Sequence, residues 1–219
     1  KDSSGEYANK DLKYIRSTHY VAGVEFLPRK DLRFTLEGFY KQYANYPFSL
    51  RDSVSLANLG ADFGVIGDEP VTSTSNGRSY GIEFLAQQKL NKNFYGILSV
   101  TYVVSEFEDA SGNFAPSSWD NRTIIALTAG KKFKRDWEVG AKWRFSGGLP
   151  YTPYDINYSA LTYVWDINRQ GVLDFSQLNS KRLDAYHQLD IRVDKKWFFN
   201  KWNLDVYLDI QNVYNFQTT

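Results

Sequence analysis

Apolar and polar side chains alternate over several stretches of this chain. Between Trp137 and Ser146, the residues Trp137, Val139, Ala141, Trp143 and Phe145 fall on one side, and Glu138, Gly140, Lys142, Arg144 and Ser146 on the other. From Trp202 to Gln211, the residues Trp202, Leu204, Val206, Leu208 and Ile210 oppose Asn203, Asp205, Tyr207, Asp209 and Gln211. Between Tyr186 and Trp197, Leu189, Ile191 and Val193 oppose Gln188, Asp190, Arg192 and Asp194. A period of two puts successive side chains on opposite faces of a strand, whereas a helix would scatter these charges around its axis. Looser alternation marks five more strands near 17–27, 32–46, 79–90, 94–107 and 122–133. The expected fold is therefore all-β and antiparallel, with about eight strands. Most reach the ~9–11 residues that a tilted strand needs to cross a bilayer.

The links between strands alternate in length. Pro28–Asp31, Asn91–Asn93, Lys134–Asp136 and Phe199–Lys201 are tight, while 47–78, 108–121 and 148–185 are long. Short turns at one rim and long loops at the other are the layout of an outer-membrane barrel wall, with periplasmic turns and extracellular loops. Phe94, Phe133, Trp137, Trp197 and Trp202 gather at the short-turn rim. Rings with apolar bodies and polar tips form such girdles where membrane meets water. Capping of a soluble core is the plainer reading of the same rings.

Ten charged residues sit opposite apolar positions: Glu37, Lys41, Glu83, Lys142, Arg144, Asp190, Arg192, Asp194, Asp205 and Asp209. In a dry core each would cost several kcal/mol unless paired. Facing a wet lumen, or a polar plug within one, they cost far less, and the apolar half of each strand then faces the lipid bilayer. A solvated face of a soluble sheet is the competing reading, but no amphipathic helix is predicted that would cover its apolar side. Composition agrees with a barrel wall. Aromatic residues make up 17% of the 219 residues, yet mean hydropathy is negative. No run approaches the ~18 apolar residues of a membrane helix. A net charge of +1 gives no general attraction to nucleic acid, and the absence of cysteine excludes disulfides and thiolate metal sites.

Candidate chemistry is sparse. The two histidines are His19 and His187; paired with Ser, or with Asp184 or Asp190, either could be cast in an outer-membrane hydrolase or acyltransferase, but no nucleophile motif accompanies them. Asp166 to Gly171 begins like a calcium loop, yet its twelfth position is Gln177 where a bidentate Glu is required, and Arg169 brings a positive charge. A polar turn is the expectation there, and no catalytic, cofactor or metal residue is assigned. The long links carry Trp119, Tyr151, Tyr154, Tyr158, Tyr163 and Trp165. Such rings suit capture of a small-molecule chelate, a glycan or a peptide, and equally suit packing of loops on one another.

Several segments also resemble a known family. Arg16–Phe26 followed by Gly38–Lys41 looks like late barrel strands of TonB-dependent outer-membrane receptors. Gly77–Phe84, continuing through Gly96 to Tyr102, is similar to a recurrent strand-turn-strand of that family, most of all in receptors of the Bacteroidota type. Asp209–Asn215 matches a phrase these proteins carry shortly before their last strand. The resemblance implies a 22-stranded barrel in the Gram-negative outer membrane. It implies import of a scarce or large substrate (siderophore, vitamin B12, glycan or peptide) with energy from TonB, in some relatives with a surface lipoprotein partner. On this reading residues 1–219 are the C-terminal portion of the barrel, with the plug domain, its TonB-contacting segment and the final strand absent. The polar start, Lys1 to Gly5, carries no apolar export segment, which fits a fragment. The alternatives are a self-closing eight-stranded barrel with a structural or adhesive role, the hydrolase, and a soluble lipocalin-like barrel.

Overall fold

The computed structural model describes residues 7, 9–59 and 69–217. Its strands are β1 (Arg16–Arg29), β2 (Leu32–Ser49), β3 (Val71–Asn91), β4 (Phe94–Glu108), β5 (Phe114–Pro116), β6 (Thr123–Lys132), β7 (Trp137–Ser146), β8 (Pro150–Tyr151), β9 (Lys181–Arg182), β10 (Tyr186–Phe198) and β11 (Asn203–Ile210). The eight long ones form an antiparallel meander in the order β1-β2-β3-β4-β6-β7-β10-β11, with β5 added on β4. The short β8 and β9 pair apart from this sheet. Strand order follows chain order because each hairpin closes through a short turn or its own loop. At the β3–β4 turn, Lys92 and Asn93 both take positive φ, 47° and 68°, the geometry whose twist matches flanking antiparallel strands.

All eight expected strands are present, and two differ instructively in extent. β2 runs on to Ser49 and β3 starts at Val71, so this hairpin projects well past the expected ends at 46 and 79, through irregular pairing around Tyr46. Residues 71–79 are almost all Thr, Ser, Asn and Gly; without apolar alternation they read as loop, yet backbone pairing alone makes them strand. At the other end β11 begins at Asn203. Trp202, expected as the first apolar-face residue of that strand, lies in the turn instead, stacked on Phe199 at 4.0 Å.

The path ends at β1 and β11, which share no ladder among the described residues. The sheet is thus an open arc, and the self-closing eight-stranded barrel does not form. No helical layer covers either face: the longest helix among the described residues, Thr162–Asn168, has seven residues and lies in a loop. The buried residues sit elsewhere, above the sheet at its long-loop end, around Val54, Ala57, Phe107, Ala115 and Val164.

Candidate functional site

Directly opposed residues of paired strands share a face, so the register assigns every side chain. Glu37 stands opposite Glu83 and Lys41 opposite Ser79. Glu83 pairs with Thr101, Thr101 with Ile124, and Ile124 with Ser146. Lys142 then pairs with Asp190 and Arg144 with Gln188, while Arg192 pairs with Asp209 and Lys196 with Asp205. Followed across the arc, all ten charges singled out above fall on one face. On β7, β10 and β11 they form ion pairs, one of them with Lys196 of the same face: Arg144–Asp190 at 3.2 Å, Arg192–Asp194 at 2.7 Å and Lys196–Asp205 at 3.4 Å. On β2 and β3, Glu37 and Glu83 instead face each other as like charges.

Aromatic rings on this polar face lie flat over glycines. Phe39 is paired with Gly81, Phe107 with Gly77 and Tyr95 with Gly130. The missing side chain makes room for the ring in each case: a Cβ on Gly130 would stand 2.4 Å from the Tyr95 ring. Tyr95 reaches on across β6 and donates to Glu138 at 2.6 Å. The same device at Gly81 is tighter, because a Cβ there meets the Tyr102 carbonyl at 2.1 Å as well as Phe39. A ring swings aside but a paired backbone does not. Gly81→Ala is therefore expected to destabilise the full-length protein by about 1–3 kcal/mol and Gly130→Ala by less. Urea unfolding from vesicles checks this; a larger loss at Gly130 would contradict it.

The opposite face is apolar and banded. Phe94, Trp137 and Trp197 stand exposed on it at the short-turn end, with Phe133 and Trp202 in the adjoining turns. A second aromatic row, not anticipated, crosses it near the long-loop end: Tyr20 pairs with Tyr40 and Tyr40 with Tyr80, the latter two rings 6.2 Å apart. Above this row the face turns polar at Thr18, Gln42, Arg78 and Glu106. From Phe94 to Tyr102 is eight residues of strand, ~27 Å, which a tilt of ~40° reduces to roughly 20 Å. That approaches the apolar band of ~25 Å that barrels present to lipid.

Above the sheet three loops lock together. The 109–122 loop supplies Asp120, 0% exposed, whose carboxylate accepts from the Ser105 backbone at 3.1 Å and binds Arg122 at 2.9 Å and Arg182 at 2.5 Å. Arg182 comes from the 147–185 loop and also donates to the carbonyls of Asp120 and Gly148. Asn58, at 2% exposure, donates from the first loop to the Ala115 and Pro116 carbonyls. Asn179 donates to the Asn58 and Pro116 carbonyls at 2.8 and 2.7 Å, and so joins all three. Nothing in the chain's pattern marks these residues, which look like ordinary polar loop positions.

This crown presents the loop aromatics. Trp119, Tyr151, Tyr154, Tyr158, Tyr163 and Trp165 are all exposed. Five of them ride the 147–185 loop, which doubles back through β8–β9 and the Tyr154–Leu173 bridge and carries α1 (Ile156–Ser159) and α2 (Thr162–Asn168). Tyr154 packs on Gly171, where a Cβ would come within 2.7 Å of its ring. The calcium-type spacing assembles no ligand set: Asp166 to Asn168 close α2, Asp166 pairs with Arg169 at 3.5 Å, and Gln177 donates to Asp174. The Asp174 carboxyl is held below its ordinary pKa by hydrogen bonds from Ser176 and Gln177. The two histidines stand on opposite faces of the sheet. His19 contacts Ser17 at 2.6 Å on the polar face, next to Lys41. His187 lies on the apolar face, against Tyr214 Oη at 2.7 Å and the Phe216 ring at 4.0 Å, while Asp190, three residues on, points to the other side.

An antiparallel wall with one banded apolar face, one charged face, short turns at one rim and organised loops at the other is a section of a transmembrane β-barrel. The family model described as "TonB dependent receptor-like, beta-barrel" matches residues 2–213, and the chain belongs to that family, whose members are Gram-negative outer-membrane barrels. Among curated proteins nothing matches. Solved structures share the fold. The ferric-catecholate import receptor Fiu from E. coli K12 aligns with a TM-score of 0.65 at 16% identity, over 100% of this chain and 26% of its own. The pyoverdine receptor FpvA from Pseudomonas aeruginosa, bound to pyoverdine, gives 0.65 at 18%, over 100% and 28%. The FrpB iron transporter from Neisseria meningitidis gives 0.60 at 12%, over 94% and 28%. The chain thus spans about a quarter of the length of these receptors.

Proposed function

We propose that this chain is the C-terminal portion of the wall and outer vestibule of an active-transport receptor in the outer membrane. The charged face lines the lumen and contacts a plug domain, the banded face meets lipid, and the crown contributes to substrate capture. One observation carries the reading: between the two aromatic rows charge is confined to a single face, beneath loops that a buried polar network holds in place, in a chain of this family. Transport rather than catalysis agrees with a family of receptors and transporters. Ferric chelates are the first substrates to try, since solved structures that share this fold include receptors for them. TonB supplies the energy, through a segment outside this chain.

Two measurements test this. In cells carrying the full-length protein, uptake of the substrate is expected to stop when TonB is removed while surface binding persists; uptake that continues without TonB would sink the active-transport reading. Tyr163→Ala combined with Trp165→Ala is expected to weaken substrate binding about tenfold, the scale of losing an aromatic contact. Unchanged affinity would take these rings out of the binding surface.

A further inference from the structure

Positive charge is concentrated at the short-turn rim. Over the four turns and their flanks (28–31, 89–94, 131–137 and 195–202) the chain places eleven lysines or arginines against two aspartates, although it carries 26 cations and 25 anions in all. The rest of the wall and its loops are therefore acidic on balance, and the rim alone is strongly basic. Such an excess is not a by-product of composition.

The geometry brings part of this charge to the side that faces lipid. Lys131 pairs with Val139 and Lys195 with Trp137, so both rise from the apolar face on either side of β7, level with the girdle. Lys195 Nζ lies 5.8 Å from the Trp137 ring centre and 5.2 Å from that of Trp197. Lys131 Nζ lies 5.5 Å over Phe133. Lys195 also donates to the Arg135 carbonyl in the β6–β7 turn, which leaves its other N–H groups to point outward. Lys134 and Arg135 stand exposed in that turn, where Arg135 takes a φ of 61°. A lysine on the lipid side of a strand is tolerated at headgroup depth and resisted in the hydrocarbon. Aromatic rings here fix the depth and the lysines supply the donors, so an anionic oxygen at the level of the glycerol phosphate meets several cations at once.

We infer that this rim, centred on Lys131, Lys195, Lys134 and Arg135, binds the headgroup phosphate of anionic phospholipid in the periplasmic leaflet and so sets how deep the wall sits. The inference rests on the apolar face being lipid-facing. Charge complementarity and continuity with the aromatic girdle favour lipid over the anionic polymer of that compartment, the peptidoglycan, which would meet the turn tips but not lysines set among rings on the membrane side.

The test uses the full-length protein reconstituted in phosphatidylcholine, with spin-labelled phosphatidylglycerol or phosphatidylcholine added as probe. The protein-immobilised fraction is expected to favour phosphatidylglycerol by about threefold. That preference is expected to fall to near one in the Lys131→Gln, Lys134→Gln, Arg135→Gln, Lys195→Gln variant, and at roughly 0.5 M salt. A control carrying Arg169→Gln and Lys181→Gln, cations of the opposite rim, is expected to keep the wild-type preference. Equal immobilisation of both lipids by the wild type would overturn the inference and leave the membrane reading standing. So would retention of the wild type but not the variant on purified peptidoglycan together with equal lipid immobilisation, which would give the rim to the cell wall. No immobilised fraction for either probe would overturn the membrane reading and the inference with it.

Discussion

Leu98→Arg is expected to remove about 2–4 kcal/mol of stability from the membrane-inserted protein, whereas Ser99→Arg, one residue on, changes it by less than about 1 kcal/mol. Leu98 lies on the apolar face, between Ala86 and Leu127, four residues from Phe94 at one aromatic row and four from Tyr102 at the other. That places it near the middle of the hydrocarbon, where no neighbour offers a counter-charge and a guanidinium is least able to reach water. Ser99 points the other way, between Leu85 and Ala126, onto the face that already carries Glu83 two residues from Leu85 and Arg144 opposite Ala126. An added cation there stays hydrated. Denaturant unfolding from lipid vesicles reads both variants, with heat-modified gel migration as a check on folding. Similar losses at the two positions would mean that the faces do not differ in solvent, and the barrel-wall assignment would fail on that result. A soluble sheet would give the same order as a membrane wall only if its apolar side were packed, and among the described residues no layer packs against it.

The contrast between adjacent residues also explains what could be read from the chain alone. A strand's two faces are written in nearest neighbours, so Trp137 to Ser146 discloses its own orientation without reference to any other segment. Turn length then sets register across the tight links, as between Tyr20 and Tyr40, whereas Glu37 beside Glu83 and Lys142 beside Asp190 are pairs across long loops, whose register the chain alone does not disclose. Half of the second aromatic row was within reach by that count, since Tyr20 and Tyr40 face each other across the turn at 30–31, while Tyr80 joins them only through the pairing of β2 with β3. It goes unnoticed when each strand is considered singly. Trp202 shows the limit of alternation: its parity fits β11, but the Phe199 ring holds it in the turn. The polar upper part of the β2–β3 hairpin was illegible for a different reason. Its strand conformation is imposed by backbone pairing across Thr72 and Phe48, which leaves no trace in side-chain hydrophobicity.

The crown was the least legible part. Its contacts join residues far apart in the chain, with 62 positions between the partners of the Arg182–Asp120 pair and 121 between those of the Asn179–Asn58 contact. Before the sheet forms, nothing brings them together. Asp120, Asn58 and Asn179 are also the residue types expected in solvated loops, so neither identity nor spacing distinguishes a buried keystone from a surface residue. The exposed rings Tyr163 and Trp165 are conspicuous in the chain, and the side chains that join their loop to its neighbours are not.

Removing that keystone has a predictable and local effect. Asp120→Ala leaves Arg122 and Arg182 without their shared carboxylate and the Ser105 amide without its acceptor. Breaking a fully buried ion pair costs about 3–5 kcal/mol. Here the two arginines are about one-third exposed, at 34% and 33%, so water recovers part of the loss and roughly 2–3 kcal/mol remains. The strands below keep their own ladders, so the loss appears as opening of the crown. Hydrogen exchange on the full-length protein is expected to show amides of the 109–122 and 147–185 loops losing protection by about 30- to 150-fold, at a factor of ten per ~1.4 kcal/mol, while β6 and β7 are unchanged. Asp166→Ala serves as the comparison. That carboxylate is exposed and pairs with Arg169 at 3.5 Å on the surface of the 147–185 loop, a contact worth no more than about 0.5 kcal/mol. Adding Arg182→Ala to Asp120→Ala is expected to cost far less than the two single losses together, because both remove one network. Wild-type protection in Asp120→Ala would mean that the three loops stand independently. If the crown opens as expected and substrate affinity falls with it, the exposed rings owe their placement to this single buried carboxylate.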